Sequence, residues 1–339
     1  MGAVVPTPRP KTGLVEEDAE TSGDFLAMLD VGSSDALPAW LAARLAALHP
    51  GSSVRVLRVY PLRAARIRGS PDPESFAVAA DEKEQPSPAG NDPALLKVLA
   101  SREPAWVRGD GGLRLLVPLA AGPMVRHVVD VRGAGEGDAR QQMLLALARK
   151  YYERLVEGET DPLTRLANRR LFQEQVDAGL KRWTAPGRAY YFAMLDLDLF
   201  KRVNDDFGHL YGDEILVHFA NLMRATFRSA DQLFRFGGEE FVVIFGVDPP
   251  ERGGEGTLER FRAAVEAYDF PGVGRVTVSI GYARAQPGTA AALLIDRADE
   301  ALYYAKEHGR NRVCSWEALL EAGEVKSKAA LKGGVTLFA

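Results

Sequence analysis

The chain has 339 residues, long enough for two domains that each bury a core. Hydrophobic residues make up 46% and charged residues 26%, the balance of a soluble globular protein. The net charge of −4 gives no general pull toward nucleic-acid polymer or anionic membrane. The single cysteine, Cys314, excludes an intrachain disulfide or a zinc cluster built on several cysteines and fits a reducing cytosol. No apolar run approaches the ~20 residues that span a bilayer. Met1 to Lys11 holds prolines where a secretory signal needs an apolar segment, so the expectation is a cytoplasmic protein without membrane insertion.

Residues 1–23 are rich in Pro, Gly and acidic residues and are expected to be disordered. In the following 24–135, Leu37, Trp40, Leu41, Leu45 and Leu48 predict a helix over Asp35–Leu48, with Ser34 or Asp35 as cap. Strands are expected at Ser53–Tyr60 and Ser75–Ala80, a polar loop at Glu82–Asp92 and a short helix at Pro93–Ser101. Stronger strands, Leu113–Leu119 and Val125–Val131, are joined by Ala121-Gly122-Pro123. This α+β order resembles a small GAF- or PAS-like sensor domain. His49 and His127 read as packing or surface residues. Residues 136–160 form a connecting helix in which Leu144, Ala148, Tyr151 and Leu155 step by four, three and four. That spacing suits a coiled-coil seam and equally a helix packed on its own domain.

The second domain, 161–315, opens with Asp161-Pro-Leu-Thr-Arg-Leu-Ala-Asn-Arg-Arg170. Pro162 turns the chain and Asn168 caps a helix through Trp183. A buried strand, Tyr190–Leu195, ends in Asp196-Leu197-Asp198. A helical turn follows at Leu199–Asp206, then a helix from Gly208-His-Leu-Tyr-Gly-Asp213 to about Phe227. In Phe234–Phe245, two apolar runs flank Gly237-Gly238, which predicts a β-hairpin with a two-residue turn and Glu239 and Glu240 on opposite faces. A helix at Thr257–Tyr268, a strand at Val276–Tyr282 and a helix at Ala290–Glu307 come next, with residues 316–339 as a polar tail. The βαββαβ order predicts a ferredoxin-like palm, a layout used by nucleotidyl-transfer enzymes. Neighbouring strands would bring Asp196 and Glu239 together, and carboxylates beside a side-chain-free tip suit a hard cation. Taken alone, Asp196 and Asp198 read first as a pair of surface acids at a strand end.

Phe236-Gly-Gly-Glu-Glu-Phe241 resembles the signature of the GGDEF family, the diguanylate cyclases. The resemblance spans about Glu159 to Val313. It is carried also by Asp161–Arg170, Asp196-Leu-Asp-Leu-Phe-Lys-Arg-Val-Asn204, Phe207–Asp213, Val278-Ser-Ile-Gly281, Ala298–Tyr303 and Lys306-Glu-His-Gly-Arg-Asn311. It implies that two GTP are condensed to cyclic di-GMP by a homodimer with Mg²⁺ or Mn²⁺ as cofactor. Asp196, Glu239 and Glu240 would be catalytic and hold metal, assisted by the backbone of Leu197. Asn204 and Asp213 would read guanine, and Phe200, Lys201, Lys306 and Arg310 would hold phosphates. Arg228 and Asp231 match the family's product-inhibition pattern; a helix-end salt bridge is the other reading. Arg165 departs from a frequent family glycine. The alternative function is an inactive domain that acts as a cyclic di-GMP or GTP receptor.

Overall fold

The computed structural model describes residues 4–5, 26–61, 76–79, 87–89, 92–109, 112–121, 124–135, 137–183, 189–228, 230–247, 253–286 and 289–326. The chain divides into two compact units, Met1–Gly158 and Glu159–Ala339. Apart from Val4–Val5, the segment expected to be disordered lies outside the described residues, as do most of the loop expected at Glu82–Asp92 and the tail beyond residue 326. Among the described residues, no helix is long and apolar enough to cross a membrane.

The first unit is built on an antiparallel sheet. In chain order its elements are β1 (Val4–Val5), α1 (Leu37–Leu48), β2 (Ser53–Pro61), β3 (Phe76–Ala79), β4 (Ser87–Pro88), α2 (Pro93–Ser101), β5 (Ala105–Gly109), β6 (Gly112–Ala121), β7 (Met124–Arg132) and α3 (Ala139–Glu159). The seven strands lie in the order β1-β5-β6-β7-β2-β3-β4. Both faces of β6 are covered beyond Arg114, which is why residues 115–121 read as an unbroken apolar run. Leu115, Val117 and Leu119 pack with α1 and α3, whereas Leu116 packs with Leu95, Val98 and Leu99 of α2. Helix α2 is capped as its sequence suggests, because Asp92 Oδ1 accepts the N–H groups of Ala94 and Leu95 at 3.1 Å. Helix α1 starts one residue past the expected caps; Ala36 is its N-cap, and Ser33 Oγ accepts the Ala36 N–H instead.

Helix α3 resolves the ambiguity of its spacing in favour of its own domain. Leu144 and Ala148 are buried in the first unit's core beside Tyr152 and Val156, and Leu155 packs against the same cluster. Tyr151 donates its hydroxyl to the carbonyls of Leu29 and Val31 at 3.1 Å. Leu144, Ala148 and Leu155 thus pack on the core of their own unit. Both histidines of this unit are buried and bonded to α3. His127 Nδ1 lies 2.9 Å from the Tyr152 hydroxyl, and His49 contacts Gln141.

The second unit contains α4 (Arg169–Trp183), β8 (Ala189–Leu197), α5 (Phe200–Phe207), α6 (His209–Thr226), β9 (Gln232–Arg235), β10 (Glu240–Val247), α7 (Glu255–Glu266), β11 (Asp269–Phe270), β12 (Gly274–Arg275), β13 (Val278–Arg284), α8 (Ala291–Glu307), β14 (Val313–Ser315) and α9 (Trp316–Glu321). Its main sheet runs β14-β13-β8-β10-β9. Central β8 is antiparallel to β10 and β13, and only β14 is parallel to its neighbour. The order β13-β8-β10-β9 is that of a ferredoxin-like α+β palm. Along β8, Tyr191, Ala193, Leu195 and Leu197 face α6 and α7, while Phe192 and Met194 face α4 and α8. The expected polar tail is corrected at its start. Trp316 is 4% exposed, donates Nε1–H to Glu300, and seats α9 in the core.

One close approach positions α8. A Cβ built on Gly281 would collide with the backbone of Leu302, Ala298 and Ala301, so the helix lies directly on the β13 backbone. Gly281→Val is expected to destabilise the unit by about 3 kcal/mol, readable as a lower denaturant midpoint. An unchanged midpoint would show that α8 has room to move. In the first unit, burial depresses the His127 pKa from its ordinary value to about 4, and Arg58 and Arg126 add to the effect against Asp35. Between about pH 4 and 6.5 the unfolded chain binds the proton that the folded unit refuses. Stability is full above pH 6.5 and declines as pH falls toward 4, by at most about 3 kcal/mol. His127→Gln should flatten that slope in thermal melts, and an identical slope would remove His127 as its source.

Candidate active site

The site forms at the C-terminal end of β8. Asp196 stands directly opposite Glu240 of β10 and Ser279 of β13. Opposed residues share a sheet face, so Asp196 and Glu240 lie on the side of Phe192, Met194 and Val242, beneath α8. Asp196 is 5% exposed, and Lys306 of α8 sets its ammonium 2.8 Å from Oδ2. Burial pushes the Asp196 carboxyl up to about 6. The Lys306 hydrogen bond and charge oppose the rise, and Glu239 and Glu240 add to it. A cavity of ≈ 550 Å³ opens beside Glu240 and Lys306, lined also by Tyr303, Tyr304 and Glu307.

The hairpin tip differs from the two-residue turn expected for Gly237-Gly238. Strand β10 begins only at Glu240, whose carbonyl accepts the N–H groups of Phe236 at 2.8 Å and Gly237 at 3.2 Å. A type I′ turn needs positive φ at both central residues, and neither glycine has it. The glycines serve space instead. A Cβ on Gly237 would come within 2.5 Å of Glu240 Oε2, while the position above Gly238 is open. Glu239 therefore belongs to the turn, and its carbonyl accepts the Leu197 N–H at 3.4 Å. The tip is braced by Arg235, which donates to the Gly238 carbonyl at 2.9 Å and to Asp161 at 3.1 Å. Asp161 also accepts the Thr164 N–H and hydroxyl at 2.7 Å. The motif that opens the domain thus folds onto the hairpin, and Ala167 pairs with β9 through Ala167 N–H to Leu233 O and Arg235 N–H to Ala167 O. Arg165 sits at φ 59°, a left-handed conformation that explains a glycine preference there.

The other expected residues lie around this centre. Leu199 precedes α5 at φ 58° without a side-chain cap, so Phe200 and Lys201 stand in a helix first turn, whose N–H groups have no intrahelical acceptor. A Cβ on Gly212 would strike the Asn204 amide oxygen, so Gly212 admits that side chain one residue before exposed Asp213. Lys306 lies in the last turn of α8, which ends at Glu307, and Arg310, at φ 60°, lies beyond the helix after Gly309. At Arg228, Asp231 Oδ2 accepts the backbone N–H at 2.7 Å in a local turn, and the Arg228 side chain is exposed.

Sequence reasoning leaves Asp198 as a bystander acid. It is 7% exposed and accepts from Thr277 Oγ1 and Ser279 Oγ at 2.6 Å and from the Asn311 N–H at 3.0 Å. Its partner Asn311 lies 113 residues away, beyond the reach of any local pattern. Among the described residues, no group of three His, Cys, Asp or Glu side chains converges as a metal cage. The donor chemistry nevertheless fits a hard cation such as Mg²⁺, which is commonly held by one or two carboxylates with substrate phosphates completing the shell. Asp196 is a buried carboxylate whose charged form a cation would favour.

Residues 159–312 match the family model described as "Diguanylate cyclase, GGDEF domain". The chain is 43% identical over 157 residues to the diguanylate cyclase DgcP of Pseudomonas aeruginosa, covering 45% of this chain and 23% of that protein. It is 42% identical over 160 residues to the response regulator PleD of Caulobacter vibrioides, covering 45% and 35%. To the diguanylate cyclase DgcM of Escherichia coli it is 38% identical over 153 residues, covering 45% and 37%. The chain thus spans well under half the length of each of these relatives, and each match covers 45% of this chain. The likeness to the GGDEF domain of diguanylate cyclases thus falls on residues 159–312, the palm that carries the Gly-Gly hairpin.

Proposed function

We propose that the protein is a diguanylate cyclase that condenses two GTP into cyclic di-GMP with loss of two pyrophosphates. The observation that carries this reading is the pairing of Asp196 with Glu240 across β8 and β10, with Lys306 held 2.8 Å from Asp196 under a side-chain-free tip. Asp196, Glu239 and Glu240, with the Leu197 backbone, would hold a divalent cation, Mg²⁺ or Mn²⁺. Bound there, the ion neutralises charge on the reacting phosphate and the leaving pyrophosphate. Lys306, Arg310 and the N–H groups at Phe200 and Lys201 hold the phosphates. Asp213 accepts from guanine N1–H and N2–H₂, and Asn204 serves its acceptors. Adenine lacks that donor pair and leaves the carboxylate unpartnered. The 3′-hydroxyl of one GTP then attacks the α-phosphate of the other in line.

Each domain offers one such site, so the reaction calls for a homodimer that brings two together. The pairing surface is not the Leu144/Ala148 stripe, which is already buried. The first unit, a helix-flanked antiparallel sheet, serves as a GAF- or PAS-like regulatory module. Exposed Arg228 with Asp231 serves as the product-inhibition site.

Incubation with GTP and Mg²⁺ should yield cyclic di-GMP by chromatography. Asp196→Ala should lower the rate at least about a hundredfold, the scale on which single active-site electrostatic groups act. Binding of cyclic di-GMP or GTP without turnover, after bound nucleotide has been stripped, would favour the receptor reading. A second expectation comes from the Asp196 carboxyl at about 6. Above that pH it is ionised and free to hold a cation, and below it a proton competes. Mn²⁺ affinity without nucleotide, followed by electron paramagnetic resonance, should fall about tenfold per pH unit below 6. A flat profile would rule out Asp196 as a principal ligand.

A further inference from the structure

Beyond α8 the chain carries three successive residues at positive φ: Gly309 at 108°, Arg310 at 60° and Asn311 at 46°. Left-handed backbone is costly for an L-residue, so two such residues in a row persist only where the surroundings over-determine them. Here they do. The Arg310 N–H donates to the Ala305 carbonyl at 3.0 Å, and the Asn311 N–H to buried Asp198 at 3.0 Å. The Asn311 amide is held at both ends: Oδ1 accepts from Arg262 Nη1 at 2.8 Å, and Nδ2 donates to Glu266 Oε1 at 2.8 Å. The Ile280 N–H then donates to the Arg312 carbonyl at 2.9 Å and returns the chain to the sheet.

The Arg310 side chain itself is exposed. The surrounding bonds fix the backbone from which it projects and leave its guanidinium available. Asp198, at the end of β8, ties this turn to the strand that carries Asp196. Helix α7, through Arg262 and Glu266, ties it to the opposite face of the sheet.

We propose that Asn311, with Asp198 and Glu266, is a positioning residue that aims Arg310 at the terminal phosphates of the bound nucleotide. The inference rests on reading the second unit as a GTP site and assigns a role to residues that touch neither phosphate nor metal. Its signature is selective: losing the brace weakens binding of a triphosphate and spares a monophosphate, which does not extend to Arg310.

The experiment uses the full chain, with Asn311→Gly to remove the amide while permitting the left-handed backbone. Glu266→Ala, at a half-exposed helix position, is the second variant. Affinities for the non-reacting guanosine α,β-methylene triphosphate and for GMP are measured by calorimetry with Mg²⁺. The expected result is about a tenfold loss for the triphosphate analogue in Asn311→Gly, a smaller loss in Glu266→Ala and unchanged GMP affinity in both. Arg310→Ala combined with Asn311→Gly should lose little more than Arg310→Ala alone, since both act through one group. Wild-type affinity in Asn311→Gly, or equal losses for both nucleotides, overturns the positioning role. Failure of the wild type to bind the analogue overturns the GTP reading itself, and the inference with it.

Discussion

A lysine ammonium set against a buried carboxylate organises the end of the palm at which β8 stops. Lys306 can reach Asp196 because α8 lies on the bare backbone of Gly281, and Asp196 faces α8 because strand alternation puts it on the side of Phe192 and Met194. An isolated carboxylate at that depth would be costly to ionise. The Lys306 ammonium beside it lowers that cost, while burial still holds the carboxyl up at about 6. The arrangement leaves a strong oxygen donor held in place and incompletely compensated, the condition under which a second positive charge gains most.

Glu240 and Glu239, adjacent in sequence, end up in different structural settings. Glu240 is in the ladder and opposite Asp196, so its position is set by the sheet. Glu239 is in the turn, where its carbonyl meets the Leu197 N–H. The side-chain-free glycines admit the Glu240 carboxylate at one position and leave open space at the next. The brace from Arg235 to Gly238 and Asp161 explains why the opening motif of the domain and the hairpin, far apart in the chain, work as one rigid piece.

The parts of this molecule that are legible in its sequence are those written in local periodicity. Strand β8 and the acids at its end, the cap of α4 by Asn168 and the order of palm elements all come from alternation, spacing and capping chemistry. The turn at Gly237-Gly238 is misread from sequence because two glycines announce permissiveness without saying whether φ or space is at stake. The spacing in α3 suits two partners equally, and only burial of Leu144 and Ala148 decides between them. Helix α9 escapes notice because it is short and its one strong signal, Trp316, matters through contacts with α8. Asp198 and Asn311 are illegible for a plainer reason: a hydrogen bond across 113 residues leaves no local trace.

The pairing of Ala167 with β9 has a consequence outside chemistry. A sheet's outer strand ordinarily exposes a row of unsatisfied backbone donors and acceptors, a template onto which another chain can zip. Ala167 takes the Leu233 carbonyl and the Arg235 N–H from that row, and the Arg235 guanidinium folds over to the Gly238 carbonyl beyond the strand's end. The palm thus blunts its own adhesive margin at the strand that leads into the Gly237-Gly238 hairpin. The same few residues that steady the hairpin also protect the newly folded domain against edge-to-edge association.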